Sequence, residues 1–530
     1  MAAASVLFTL SACTVGPDFL RPKPPDIPTW HDTSLRPNGA VSLQTNPDPR
    51  WWDQFKDPVL TSLVEQAISG NLDLQQAVLR VVQAQQGEVT ARSGGLPSVG
   101  ASGSFTREQL GLRGLLLSQG AYGQLNALAD QNSPLNRISP GLGTRTADSL
   151  RGALNDFSQP VNLYQYGLNA SWELDLFGRV RRAEEQAGAQ TEAQIEATND
   201  ALVMLEGQVA QAYVTVRGAQ ALTRSQQQNV RIAREALNLT TLRQRQGLGT
   251  DLDVEQARTQ VANNEALLPG YEKQAEQAMN RLSVLVGRPP GALEPMLAPV
   301  ARLPVIPGLI DVGVPSTLAR RRPDIRQAEA VLHAATANVG VATASFYPDV
   351  SLTGSVGLRA TDAAFLTNWA SAFYAFGPSV SLPVFQGGRL TANLRLARAQ
   401  EAQAALAYRS TVLNALREVE DALVAYRTDR AAREKLAVAV RSGERSVYLA
   451  RDAYEHGLQD FLTVLDAQRT LTASRQQLVQ ADQLLINDVV TLYTALGGGW
   501  QDNAATTGPV EQAPPPVPAA LDALGAKVPR

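Results

Sequence analysis

Apolar residues fall on alternate positions at Tyr164, Tyr166, Leu168, Ala170, Trp172 and Leu174, a period of two that predicts a strand over about 162–175. A different period follows almost at once. From Arg179 to Gln246 there is no proline, and Leu202, Leu205, Val209, Ala212, Val216 and Ala219 step by 3, 4, 3, 4, 3, the spacing of a coiled-coil helix. The chain then repeats the sequence of patterns. Over 375–384, Phe376, Val380, Leu382 and Val384 share one parity, and Val412, Ala415, Val419, Ala422 and Tyr426 carry the helical spacing downstream. At 1.5 Å per residue each long helix spans roughly 100 Å.

The two halves superpose without a gap when residues 164–287 are slid onto 374–497, an offset of 210. Gly178-Arg179 falls on Gly388-Arg389, Val209 on Val419, Arg217 on Arg427, Gly247-Leu248 on Gly457-Leu458, and Gly287 on Gly497. Upstream the offset is 251, placing Asp73, Ala77, Pro97 and Gly103-Ser104 on Asp324, Ala328, Pro348 and Gly354-Ser355. The first half therefore carries 41 additional residues between its two strands. A tandem duplication accounts for both registers. Each half reads short helix, helix, strand, strand, very long helix, helix, with first strands at about 99–107 and 350–359 and strand-joining loops at about 108–161 and 360–374. Flanking helices over about 71–93 and 251–286 would measure roughly 35 and 54 Å, and Pro269 is expected to kink the second of them.

Strands of about ten residues with alternating polarity have the length that a tilted bilayer-spanning strand requires. Tyr164, Tyr166 and Trp172, near the ends of their strand, suit an interfacial aromatic girdle. A water-soluble hairpin with one buried face is the plainer reading of the same alternation. Four strands cannot close a barrel, and an open edge in lipid leaves backbone groups without partners, so the membrane reading forces oligomerisation. Eight strands from a dimer would enclose only side chains, which makes a trimer or larger necessary for a pore. Strand and helix then become two storeys of one tube.

Composition narrows the chemistry. Acidic and basic residues nearly balance at a net charge of −3, which gives no electrostatic footprint for nucleic acid. The three histidines (His31, His333, His456) lie far apart, there is one cysteine, and four methionines offer no thioether metal path. No phosphate loop, HExxH, GxSxG or CxxC occurs, so no metal site, no cofactor and no enzymatic activity are expected. No run of eighteen apolar residues exists.

The opening MAAASVLFTLSAC is a short apolar run of small residues ending at that cysteine. Leu10-Ser11-Ala12-Cys13 resembles the bacterial lipobox, which implies a signal peptide over 1–12 and a covalent lipid on Cys13. Thr14, rather than an aspartate, follows it, which is compatible with sorting to the outer membrane, and the Pro-rich stretch 21–49 reads as an extended tether.

Together the order of elements, the lipobox, RRPDIRQAE (321–329), the two strand-to-helix joints and the tips QGLGTDLDVEQA and HGLQDFLTVLDAQ closely resemble the TolC-like outer-membrane efflux factors, in particular their lipoprotein branch, the NodT type. The resemblance covers roughly 13–500. It implies an α+β membrane protein: a homotrimer with a twelve-stranded β-barrel, four strands per protomer, continued by a long α-helical barrel in the periplasm and lipid-anchored to the outer membrane. The chain then divides into a lipid-anchored segment 13–57, a first repeat 58–287 with its helix hairpin 179–286, an equatorial linker 288–315, a second repeat 316–497 with its hairpin 388–496, and a tail 498–530. Arg320 to Arg322 take a belt or helix-entry role, with Pro323 in a first turn. The partners implied are a periplasmic adaptor and an inner-membrane RND-type pump, and the duct passively conducts drugs or other small molecules. A type I protein-secretion duct and a soluble coiled-coil scaffold are the alternatives. Asp253, Tyr454 and Asp466 match the family's periplasmic gate, whereas Gln459 and Thr463 depart from residues some members carry there. Gly247, Leu248, Gly457 and Leu458 form the expected adaptor-docking tips.

Overall fold

The computed structural model describes residues 14–23, 30–31, 41–42, 48–109, 114, 117–157, 159–308 and 310–502. Cys13, the expected signal peptide over 1–12, and the tail beyond Asp502 lie outside the described residues. In chain order the elements are β1 (Val41–Ser42), α1 (Pro58–Gly70), α2 (Leu72–Ser93), β2 (Ser98–Glu108), α3 (Ala121–Ala129), α4 (Pro134–Ile138), α5 (Leu142–Phe157), β3 (Val161–Leu174), α6 (Arg179–Arg245), α7 (Asp251–Ala266), α8 (Leu268–Leu285), α9 (Glu294–Leu297), β4 (Ile310–Asp311), α10 (Pro315–Arg321), α11 (Pro323–Ala344), β5 (Asp349–Ala360), β6 (Ala372–Ser381), α12 (Arg389–Glu455) and α13 (Phe461–Ala495). They form two compact units. Of the described residues, one comprises those of 14–16, 90–182 and 340–391, and the other those of 17–89, 183–339 and 392–502.

The first unit is a four-stranded antiparallel sheet in the order β2-β3-β5-β6. Its passage into helix takes only the four residues after β3. Asp175 makes this possible: its carboxylate accepts from Val180 N at 3.1 Å and Arg181 N at 2.9 Å, satisfying donors that open α6. The fourth strand runs Ala372–Ser381, not 375–384. Pro383 has no N–H to give to a ladder, so Leu382 and Val384 keep the strand's parity without belonging to it. The segment 108–161, expected as loop, instead holds α3, α4 and α5. Ser133 caps α4 by accepting from Asn136 N, Pro134 stands in its first turn, and Leu125 and Ala147 are buried.

In the second unit the coiled-coil spacing is realised as burial. Leu202, Leu205, Val209, Ala212, Val216 and Ala219 on α6, and Val412, Ala415, Val419, Ala422 and Tyr426 on α12, are all buried. The helix after the first tip divides at Leu267, with Pro269 in the first turn of α8, where a missing N–H costs nothing. A buried arginine joins linker to helix: Arg217 donates through Nε to Tyr213 Oη at 3.0 Å and through Nη1 to Pro299 O at 2.8 Å.

Two expectations are settled by side-chain contacts. Of the arginines expected at a belt or helix entry, Arg322 is buried, pairs with Asp324 and Glu418 at 2.8 Å, and donates to Ala495 O at 2.8 Å, closing the end of α13. Arg326 pairs with the buried Glu196 at 2.5 Å and covers the Trp500 ring. The Pro-rich stretch is not a free tether where it is described. Trp30 is buried and donates to Gly313 O at 2.9 Å, and β1 pairs in parallel with β4. Trp51, stacked on Tyr493, belongs to the helical core. Among the described residues no helix is long and apolar enough to cross a membrane.

Candidate functional site

Strand register decides which side chains share a face of the sheet. Ala101, Leu168, Val356 and Tyr374 form one cross-strand row, and Val99, Ala170, Gly354 and Phe376 form another two residues along. Trp172 with Leu352, and Leu174 with Val350 and Val380, continue the series. The intervening rows read Ser98, Ser171, Thr353, Gly377 and Gly100, Asn169, Ser355, Ala375. Since successive side chains point to opposite faces, one face is apolar and the other is built of serine, threonine, asparagine and glycine.

Among the described residues the apolar face is left open: Leu168, Val356, Tyr374, Phe376 and Val380 are all exposed. A continuous exposed apolar surface of this kind marks a membrane or partner surface. Aromatic rings gather toward its ends. Phe105 and Tyr164 lie 4.8 Å apart at one, and Trp172 at the other donates to Gly95 O at 2.9 Å. On the polar face Gly167 and Gly357 admit no side chain, because a Cβ on either would fall 2.4 or 2.3 Å from a carbonyl oxygen of the facing strand. β3 and β5 thus approach closely there. Among the described residues β2 and β6 each keep one unpaired edge.

The hairpin tips are built twice on one plan. Leu248 N donates to Arg243 O and Leu458 N to Ala453 O, both at 2.8 Å, while Gly247 (φ 74°) and Gly457 (φ 73°) take the left-handed position that ends each helix. In this motif the residue after the glycine often packs back on its own helix. Here it does not: Leu248 is 64% and Leu458 75% exposed. The next helices are capped by side chains, α7 by Thr250 and Asp253 in a reciprocal capping box and α13 by Asp460, which accepts from Thr463 N at 3.1 Å.

Arg243 ties the two hairpins together. Its guanidinium donates to Tyr454 O at 2.6 Å and Glu455 O at 3.0 Å, and lies 4.6 Å above the Tyr454 ring. Tyr454 is buried with Phe461, Val464 and Ala257, and its phenol oxygen has no hydrogen-bond partner among the described residues. Burial, and then the Asp253 carboxylate, push that phenol above its ordinary pKa, while Arg243 pulls the other way.

Comparison with known proteins decides what this architecture belongs to. Residues 63–288 and 314–498 match the family described as outer membrane efflux protein. The chain belongs to the outer membrane efflux protein family. A probable efflux pump outer membrane protein of Pseudomonas putida, TtgC, is 30% identical over 502 residues, covering 94% of this chain and 95% of its own. Nodulation protein T of Rhizobium leguminosarum is 30% identical over 496 residues, with 93% and 95% covered. The solved outer-membrane channel OprN has 32% identity and a TM-score of 0.78 over 92% of this chain and 100% of that one. This efflux protein is accordingly the outer-membrane component of an efflux system, and the soluble-scaffold alternative falls away.

Of the expected gate residues, this efflux protein brings Asp253 and Tyr454 into one another's field, whereas Asp466 stands exposed on α13. Asp253 also spends its carboxylate on Thr250 N at 3.2 Å. Sequence reasoning missed Arg243, although the 210 offset pairs it with Ala453, a break in symmetry at a conspicuous place. It also missed Leu252 and Leu462, which are 65% and 56% exposed and coincide at the same offset. Each tip therefore presents two exposed leucines.

Proposed function

We propose that three copies of this chain close a twelve-stranded barrel, polar face inward and apolar face to lipid, with the helix hairpins prolonging its wall as a periplasmic tunnel. The observation that carries this reading is the sheet, with one uncovered apolar face, one Ser/Thr/Asn face and two unpaired edges. In lipid, unpaired edge groups have no water to satisfy them, so β2 of one chain must meet β6 of the next. The duct is passive: no reaction and no cofactor, with energy supplied by an RND-type inner-membrane pump and cargo of drugs or other small molecules. The tips, with Leu248, Leu252, Leu458 and Leu462, dock the periplasmic adaptor. Arg243, Tyr454 and Asp253 hold the hairpins in the closed state, and Asp466 adds a ring of three carboxylates at the constriction.

Purified protein is expected to migrate as a heat-dissociable trimer and to conduct in planar bilayers. In the same recordings Asp466→Asn should weaken cation selectivity and block by multivalent cations, because carboxylate rings favour cations. Conducting channels with unchanged selectivity in both Asp466→Asn and the double variant with Asp253→Asn would move the constriction elsewhere.

The lipid on Cys13 places the helical part on the periplasmic side. Cys13→Ser is expected to abolish labelling with radioactive palmitate while the barrel still inserts. Undiminished labelling of that variant would overturn the lipobox.

A further inference from the structure

The polar face of the sheet carries few charges among the described residues, and all but one are carboxylates. Glu173 and Asp349 lie at the end from which α6 departs, where Arg179 pairs with Glu173 and approaches Asp349 to 3.8 Å. Glu108 is the last residue of β2 at the opposite end. Arg359 is the exception. Register puts it in the row Ser104, Gln165, Arg359, four residues short of Glu108 and two strands away from it. At about 3.3 Å per residue and 4.8 Å per strand, that separation exceeds the screening length of about 10 Å at 0.1 M salt. Asp362, three residues on, lies past the strand and caps the next turn by accepting from Ala364 N at 3.0 Å.

The Arg359 side chain is held by neutral neighbours. Its Nε donates to Gln165 Oε1 at 2.9 Å, and its guanidinium lies 4.6 Å from the centre of the Phe373 ring. Both contacts fix the plane of the group without neutralising it, and the residue stays exposed. The Nη donors form a planar fork suited to the two oxygens of a phosphate or sulfate, for which arginine is matched in shape as well as charge. Among the described residues no carboxylate pairs with it, and Ser104 and Gly357 on the same face are small.

The geometry points to Arg359 as an anion-binding residue of the channel interior. In the three-chain barrel proposed above, on which this inference rests, three copies form a basic ring near the end bearing the strand-joining segments, and the ring takes multivalent oxyanions that enter from that side. A narrow passage walled by low-dielectric material concentrates such a field. The outer end of the duct then carries charge opposite to the carboxylates of the helical tips.

The test is block of purified channels in planar bilayers by inorganic tripolyphosphate at about 0.1 M salt, where screening still permits the effect. Added from the sheet side, it should block the parent, and Arg359→Gln should raise the half-blocking concentration at least about tenfold, the scale of losing charge-assisted hydrogen bonds. Arg359→Lys should retain most of the block, since the charge survives and only the fork is lost. Gln165→Ala, which frees the guanidinium without discharging it, should raise the half-blocking concentration only about threefold, as loss of one positioning hydrogen bond does. Equal block of the parent and Arg359→Gln, or equal loss in the Lys and Gln variants, overturns the inference while leaving the conducting barrel intact. A parent protein that trimerises and inserts but never conducts overturns the barrel reading and this inference with it.

Discussion

Val356→Arg is expected to leave the protein out of the outer membrane, whereas Ser355→Arg, one residue away, is expected to insert and trimerise. The two positions differ only in face. Val356 lies in the apolar row with Ala101, Leu168 and Tyr374, near the middle of the strands, and Ser355 lies in the polar row with Gly100, Asn169 and Ala375. An arginine on the lipid side of a barrel at mid-depth costs roughly 2–4 kcal/mol, and the proposed trimer would bear that cost three times. On the polar side the same guanidinium stays in water. Fractionation of cell envelopes and unheated gels at matched expression read the difference directly. Equal insertion of both variants would mean that the apolar face does not meet lipid, and the arrangement of the barrel would have to be abandoned.

Leu248→Glu combined with Leu458→Glu is expected to abolish export while trimer assembly and insertion stay normal. Exposed leucines gain nothing from their own chain at these turns, because the helix ends are already closed by glycine and backbone hydrogen bonds. Two tips per chain give a trimer six such leucines, and Leu252 and Leu462 widen each into a patch. Burying an exposed leucine against a partner is worth about 1.5–3 kcal/mol, so six carboxylates in their place remove most of a docking surface. The readouts are crosslinking to the adaptor and accumulation of exported compounds. Full export by the double variant would show that docking does not use these residues.

What was legible in the sequence depended on how local its cause is. The long helices were readable because a repeating apolar spacing needs no knowledge of the partner helix, and α6 and α12 bury the very positions that spacing selects. The sheet was readable for the same reason, since Tyr164 to Leu174 alternate whatever lies beside them. The end of β6 was misplaced because parity alone ran on through Pro383, where hydrogen-bond geometry stops. Helices α3 and α4 escaped notice because segments of 9 and 5 residues carry too few turns for a period to emerge, whereas the 16 residues of α5 are amphipathic and were passed over within the expected loop. At the tips, glycine and leucine announced themselves by recurring. Asp253 could be located but its capping box could not be told from a gate role, and Arg243 could not be placed over Tyr454, 211 residues away, from any spacing. Contacts between distant segments leave no periodic trace.

If three chains close the barrel as proposed, the two edges left unpaired among the described residues carry a genetic consequence. A ring closed head to tail has a single kind of seam, each chain offering β2 to one neighbour and β6 to the other. A chain whose β6 edge is spoiled can still offer a sound β2, so it joins a growing ring and leaves it open. Where sound and spoiled chains are made in equal amounts and mix freely, only about one ring in eight contains three sound chains. Lesions in either edge strand should therefore behave as dominant alleles, while lesions that keep the chain from folding at all should be recessive.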